Sequence, residues 1–158
     1  MMQADPEDVA RMKLLFVCIE NSCRSQMAEA FARMSGDDIE AFSAGSRASG
    51  VVNPRAVEMM AELGYDLGRH RSRSIEEVEG QGPFDAVVTM GCGDACPHVP
   101  ARMRLDWDLA DPKHMPPAEF RKIRDEIGRL VERLVAKGTT QASSSPPTGS
   151  GAEERRPA

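Results

Sequence analysis

Lys13-Leu14-Leu15-Phe16-Val17-Cys18-Ile19-Glu20-Asn21-Ser22-Cys23-Arg24-Ser25 runs from an apolar, partly β-branched stretch into a polar loop. The segment through Val17 has the character of a buried strand. Beyond the loop, Ser25 to Met34 is rich in helix formers. Met27, Ala30, Phe31 and Met34 recur at the spacing of one helical face, and Gly36 is a fitting stop. The loop between them is Cys18, five residues, Arg24, then Ser25. A loop that feeds a helix N-terminus aims unpaired N–H groups at one spot, and the helix dipole adds a positive field there. That spot suits a tetrahedral, doubly charged oxyanion.

Each loop residue then has a role. Cys18 ends the strand facing the N–H groups, where the field that binds an anion also stabilises a thiolate. Arg24 can grip two anion oxygens with its planar fork. Ser25 can donate its hydroxyl to the thiolate and help it leave. Asn21 tolerates left-handed geometry and can tie the loop to itself. The loop segment Asn21, Ser22, Cys23, Arg24 and Ser25 forms the oxyanion cradle. The plain alternative is a core cysteine beside an exposed arginine; four chemically matched residues at a strand-to-helix junction weigh against it. Cys23 reads as a packing residue.

The remaining pattern is strand alternating with helix. Glu40-Ala41-Phe42-Ser43 is a short strand. Asn53-Pro54 opens a helix with Val57, Met60, Ala61 and Leu63 on its apolar side, ended by Gly64. Ser74 to Glu77 is a helix cap with a carboxylate at the third position. Phe84 to Met90 is a strong strand, and Arg102 to Leu105 an edge strand. Pro117 to Lys137 is a long helix burying Phe120, Ile123, Ile127, Leu130, Val131, Leu134 and Val135. This predicts one α/β domain over 13–137: a four-stranded parallel sheet with helices on both faces. Residues 1–12 form an N-terminal extension. Residues 138–158, rich in Ser, Thr, Pro, Gly and charge, read as a disordered tail.

Ligands of such sheets bind beyond the C-terminal strand ends. Cys18 lies there, and so does Met90-Gly91-Cys92-Gly93-Asp94-Ala95-Cys96-Pro97. A thiol in that segment can attack sulfur on Cys18, and two thiols can pass a disulfide onward. Gly91 and Gly93 permit backbone movement around Cys92. Residues four apart on a regular helix hold their Cβ atoms about 5–6 Å apart, whereas a disulfide needs roughly 3.5–4.5 Å. A Cys92–Cys96 bond therefore requires local rearrangement. Zinc on Cys92, Cys96 and His98 is one competing reading, but it lacks a fourth ligand, and two inert thiols are the other. In Trp107-Asp108-Leu109-Ala110-Asp111-Pro112, Asp111 is biased to extended geometry by Pro112 and suits a general acid over a pocket; Asp108 is the alternative. His70 and His114 read as surface or loop-fixing residues.

The 158 residues, 41% hydrophobic, can build one core. A net charge of −5 argues against nucleic-acid binding. No apolar run reaches membrane-spanning length, and Asp5, Glu7 and Asp8 precede any apolar stretch, so a cytoplasmic protein without a signal peptide is expected. A monomer is expected. Cysteines in that compartment are more often catalytic or metal-binding than structural disulfides.

The stretches FVCIENSCRSQMAEAF, VVTMGCGDACP and DWDLADP together resemble the arsenate reductases built on the low-molecular-weight tyrosine phosphatase fold, with the paired cysteines similar to those of the thioredoxin-coupled branch. The resemblance spans about Lys13 to Lys137. It implies that Cys18 attacks arsenate while Arg24 holds its oxygens and Asp111 supplies a proton. Cys92 then attacks the Cys18–arsenic adduct, leaving a Cys18–Cys92 disulfide. Cys96 forms Cys92–Cys96, which thioredoxin, glutaredoxin with glutathione, or another thiol opens. The implied end is arsenic detoxification. No cofactor is required, although potassium bound near Asn21, Glu29, Ser43 and Asp66 is implied for some members.

Two departures stand out. Glu20 occupies a position where the family usually has Gly, and the Cys92–Cys96 spacing is short. The competing activity is phosphotyrosine or small-phosphoester hydrolysis, which needs Cys18, Arg24 and Asp111 but neither later cysteine. Phosphatases of this fold usually place Tyr after the Asp-Pro pair; here Lys113 follows Pro112, and aromatics are only 4% of the chain. Both facts favour reduction. A third reading, a non-catalytic oxyanion-binding or zinc module, predicts that Cys18→Ser keeps its biological activity.

Overall fold

The computed structural model describes residues 12–91 and 99–143. The motif Cys92, Cys96 and His98, the chain before Met12 and that after Ser143 lie outside the described residues. Four strands, β1 (Met12–Cys18), β2 (Ile39–Gly45), β3 (Phe84–Thr89) and β4 (Ala101–Asp106), form one parallel sheet in the order β2-β1-β3-β4. The helices are α1 (Arg24–Met34), α2 (Pro54–Ala61), α3 (Ile75–Val78) and α4 (Pro117–Ser143).

Strand β1 is central and buried on both faces, as an apolar parallel strand should be. Leu14, Phe16 and Cys18 join the larger core with residues of α1, α2 and α4, while Leu15 and Val17 join a smaller core with Ile75 and Val78 of α3. Both faces of the sheet are thus covered, as expected. Strand β4 is one of the two edge strands and alternates half-buried with exposed residues.

Three sequence readings change. In α1, Met34 is 47% exposed while Ala28 and Ala32 are fully buried. The helix packs on β1 and β2 on one side and α4 on the other, so nearly its whole circumference is covered near its N-terminus. In α2, Ala61 and Leu63 are exposed and Ala56 and Met59 are buried instead. The helix ends at Ala61, and Glu62 turns to accept from Arg121 Nε at 3.0 Å and Arg124 Nη1 at 2.6 Å. Those guanidiniums hold the Glu62 carboxyl down to about 2. Finally, the last helix continues from Lys137 to Ser143, past the expected tail boundary. Once a helix is nucleated each added residue gains a hydrogen bond, and Gly138 is only a weak stop. Met12, placed in the extension from sequence, already pairs with Ile39.

Strand β1 delivers Cys18 at the C-terminal edge, beside Gly45 of β2. Met90 N–H donates to the Val17 carbonyl at 2.8 Å, which carries Gly91 to the same edge. Trp107 N–H donates to the Thr89 carbonyl at 2.8 Å, starting the segment that leads to Asp111. The parallel topology therefore gathers three distant stretches at one rim.

Candidate active site

The loop is held from behind by its carbonyls. Those of Cys18, Ile19, Glu20 and Ser22 accept from the backbone N–H groups of Ser46, Arg47, Ser49 and Asn53 at 2.7–3.2 Å. With these four carbonyls engaged from behind, the loop can offer its amides to an anion. Gly45 makes this approach feasible, because a Cβ there would lie 2.6 Å from the Ile19 carbonyl oxygen and 3.0 Å from the Asn21 nitrogen. Asn21 sits at φ 52°, the left-handed geometry that asparagine tolerates. Helix α1 starts at Arg24 with no side-chain cap and no acidic residue in its first turn. Its N-terminal amides are left for an anion to satisfy.

Cys18, Ile19, Glu20, Ser22, Cys23, Arg24 and Asp111 line the cavity. Arg24 is 6% exposed. Its Nη1 donates to the Leu109 carbonyl at 3.0 Å and its Nη2 lies 3.7 Å from Asp111 Oδ2. Its Nε is buried without a partner among the described residues, an arrangement a bound oxyanion would complete. Gly91, at φ 85°, packs against this guanidinium; a Cβ would collide with Nη1. From sequence, Gly91 suggested backbone freedom around Cys92. Here it provides room for Arg24.

Asn21 and Ser25 stand behind the cavity rather than on its wall. Asn21 Nδ2 donates to Ser25 Oγ at 2.7 Å, and Ser25 Oγ lies 2.9 Å from Cys18 Sγ. Because Asn21 supplies one proton to that oxygen, Ser25's own hydroxyl proton is free for the sulfur. The network continues outward. Gln26 Nε2 donates to Asn21 Oδ1 at 2.9 Å, and Gln26 Oε1 faces His70 Nδ1 at 2.8 Å. That requires the proton on His70 Nδ1, so Nε2 accepts from Tyr65 hydroxyl at 2.7 Å. Burial above all holds the His70 pKa below its usual range, consistent with a neutral ring. His70 is thus the loop-fixing residue expected, while Gln26, a buried polar residue inside an apolar helix pattern, was missed.

Asp111 adopts the extended geometry anticipated before Pro112, and its Oδ1 accepts from Lys113 N–H at 3.0 Å. It lines the cavity, whereas Asp108 is exposed outside that lining. Glu20, unexplained in the sequence, reaches Lys113 Nζ at 3.0 and 3.1 Å. This pair bridges the loop to the segment after Asp111. Glu20 raises the Lys113 pKa through that hydrogen bond.

Cys23 is 3% exposed and packed in the core. Burial pushes its thiol from 9.0 up to about 12, so it is a poor nucleophile near neutrality. The folded protein keeps a proton that the unfolded chain releases above pH 9. This contribution to stability is complete below pH 9 and is lost as pH rises toward 12. Denaturant midpoints measured from pH 8 to 11 should fall less steeply for Cys23→Ala than for wild type.

The potassium-type residues do not assemble into an oxygen cage. Glu29 accepts from Ser43 Oγ at 2.6 Å and from Arg33 Nε at 2.7 Å. Asn21 is committed to Ser25, Gln26 and Arg73. Asp66 is exposed, and its Oδ1 caps the Gly68 N–H. The Arg33 guanidinium already neutralises Glu29, so these residues do not fit a resident potassium ion.

A cysteine in an anion-binding loop, a buried arginine fork and a rim carboxylate on this sheet define a thiol-dependent enzyme class acting on tetrahedral oxyanions. The family model of low molecular weight phosphotyrosine protein phosphatase matches residues 13–143, and the chain belongs to that family. Arsenate reductase 2 of Staphylococcus haemolyticus is 41% identical over 125 residues, covering 75% of this chain and 92% of that protein. A solved arsenate reductase in a phosphate-binding state is 38% identical with TM-score 0.71, covering 80% of this chain and 98% of that one. A thioredoxin-dependent arsenate reductase of Corynebacterium glutamicum is 30% identical with TM-score 0.68, covering 82% of this chain and 62% of that one. Among the described residues no helix is long and apolar enough to cross a membrane.

Proposed function

We propose that the protein is an arsenate reductase of the cytoplasm, acting as a monomer on arsenate through Cys18, Cys92 and Cys96. The observation that carries this reading is Gly91 packed against the Arg24 guanidinium. Gly91 immediately precedes Cys92 in the sequence, so the segment that carries the second thiol departs from a residue seated on the oxyanion clamp. The resemblance of the chain to arsenate reductases over three quarters of its length or more supports the same reading.

The proposed chemistry joins the loop geometry to the relay that the resemblance implies. The Cys18 thiolate, hydrogen-bonded by Ser25, attacks arsenic(V); a proton from Asp111 lets one oxygen leave as water. Arg24 and the loop amides hold the remaining oxygens. The Cys92 thiolate attacks Cys18 Sγ. The electron pair of the breaking sulfur–arsenic bond stays on arsenic, which leaves as arsenite, and a Cys18–Cys92 disulfide forms. Cys96 thiolate attacks Cys92 Sγ and frees Cys18. A dithiol reductant of the thioredoxin type reduces the resulting Cys92–Cys96 bond.

The test is arsenite production with thioredoxin and its reductase, compared with glutathione and glutaredoxin. Wild type should turn over repeatedly with thioredoxin, Cys92→Ser should fall to background, and Cys96→Ser should stop after one turnover. Hydrolysis of aryl phosphate as the sole activity of wild type would overturn the proposal.

The Glu20–Lys113 pair favours a small inorganic oxyanion over an aryl ester, because it ties a cavity-lining residue of the loop to the segment after Asp111. Exposed pairs of this kind add little to stability. Glu20→Gly should therefore leave folding unchanged and raise kcat/KM for p-nitrophenyl phosphate severalfold. The same variant should lower KM for arsenate, since it removes a negative charge beside the anion. A steady-state comparison of the two substrates checks both.

A further inference from the structure

A second cavity, of about 190 Å³, opens beside Tyr65 and His70, far more than the roughly 15 Å³ that one water needs. Four arginines line it, Arg33, Arg69, Arg71 and Arg73, against a single acidic residue, Glu29. That carboxylate is already engaged by Arg33 and Ser43. The other arginines are poorly neutralised. Arg69 has the Asp66 carbonyl at 3.5 Å and the Tyr65 side chain, over whose ring it lies 5.7 Å from the centroid, but no carboxylate among the described residues. Arg71 reaches Glu77 at 3.4 Å, with both side chains largely exposed. Arg73 is half-buried, and its guanidinium makes no hydrogen bond or ion pair among the described residues. Four arginines around a cavity with one carboxylate, Arg69 and Arg73 among them without an ion pair among the described residues, match a tetrahedral dianion. They repel a metal cation.

We infer that this cavity is a second anion site, taking an inorganic dianion such as sulfate or phosphate, separate from the loop that holds Cys18. The two sites share backbone. Arg73 N–H donates to Asn21 Oδ1 at 2.8 Å, and the Arg71 carbonyl accepts from Gln26 Nε2 at 3.0 Å. The segment that carries two of the guanidiniums therefore also positions the left-handed residue of the catalytic loop. An anion that orders Arg71 and Arg73 stiffens the loop, and by reciprocity an oxyanion in the loop strengthens the second site.

The test needs no turnover, so it stands or falls separately from arsenate reduction. Sulfate is titrated into the full chain at constant ionic strength and followed by NMR, with loop amides reporting the first site and the His70 ring the second. The expected result is two saturable transitions in wild type. Arg69→Gln combined with Arg73→Gln should weaken the His70 transition roughly tenfold or more while the loop amides still saturate. Arg24→Ala should weaken the loop transition and leave His70 responding. Three results overturn the inference: a single transition in wild type, a His70 response reproduced by chloride at matched ionic strength, or a response to potassium instead of sulfate.

Discussion

Cys18→Ser is expected to abolish arsenite formation while leaving oxyanion binding largely intact. Serine preserves the shape of the strand end and can still meet Ser25 Oγ, which lies 2.9 Å from the sulfur. The carbonyl ties behind the loop involve backbone and are untouched. Phosphate or arsenate titrations should therefore give a dissociation constant within a few-fold of wild type. Chemistry is another matter. A hydroxyl at neutral pH is a weak nucleophile without an adjacent base. More fundamentally, no sulfur–arsenic bond and no Cys18–Cys92 disulfide can form, so arsenic has no route to its electron pair. Retained binding with background arsenite production separates nucleophile from cradle. Full biological activity of this variant would instead support the non-catalytic module.

Arg24→Lys should cost roughly 10²–10³ in kcat, the usual scale for removing one preorganised oxyanion donor set. The charge survives but the fork does not. Arg24 uses Nη1 on the Leu109 carbonyl, sets Nη2 near Asp111 and leaves Nε buried without a partner among the described residues. A lysine ammonium cannot serve all three directions from one nitrogen. It would hold either Leu109 or the anion, and Asp111 would lose its neighbouring positive charge. KM should rise along with the fall in kcat, since the same donors bind ground and transition states. Unchanged kinetics in Arg24→Lys would remove the fork from the mechanism. Thermal unfolding controls for the lost tie to Leu109.

Much of this was readable along the chain because the signals are local. The apolar run before Cys18, the helix formers after it, Pro54 at a helix start and the capping box at Ser74 and Glu77 each act over a few residues. Their alternation fixed a parallel α/β sheet, and parallel sheets gather ligands at one edge. Where periodicity misled, packing from a second side had intervened. Helix α1 is covered by both sheet and α4, so its burial does not follow a single stripe. Gly128 of α4 illustrates the same cause: a Cβ there would lie 2.9 Å from the Phe31 ring, a contact between helices far apart in sequence.

The chain by itself determined the class of chemistry. A cysteine, five residues, an arginine and a serine at a strand-to-helix junction specify a thiolate facing an oxyanion, since the helix terminus and its amides are local consequences of sequence. Tertiary structure alone decided what surrounds that thiolate. It paired Glu20 with Lys113 across 93 positions, set Gly91 against Arg24, and connected Tyr65 and His70 to Cys18 through Gln26, Asn21 and Ser25. It also tied Glu29 to Arg33 and Ser43. Spacing cannot reveal such arrangements, because they depend on which side chains three crossovers of a parallel sheet bring to the same rim.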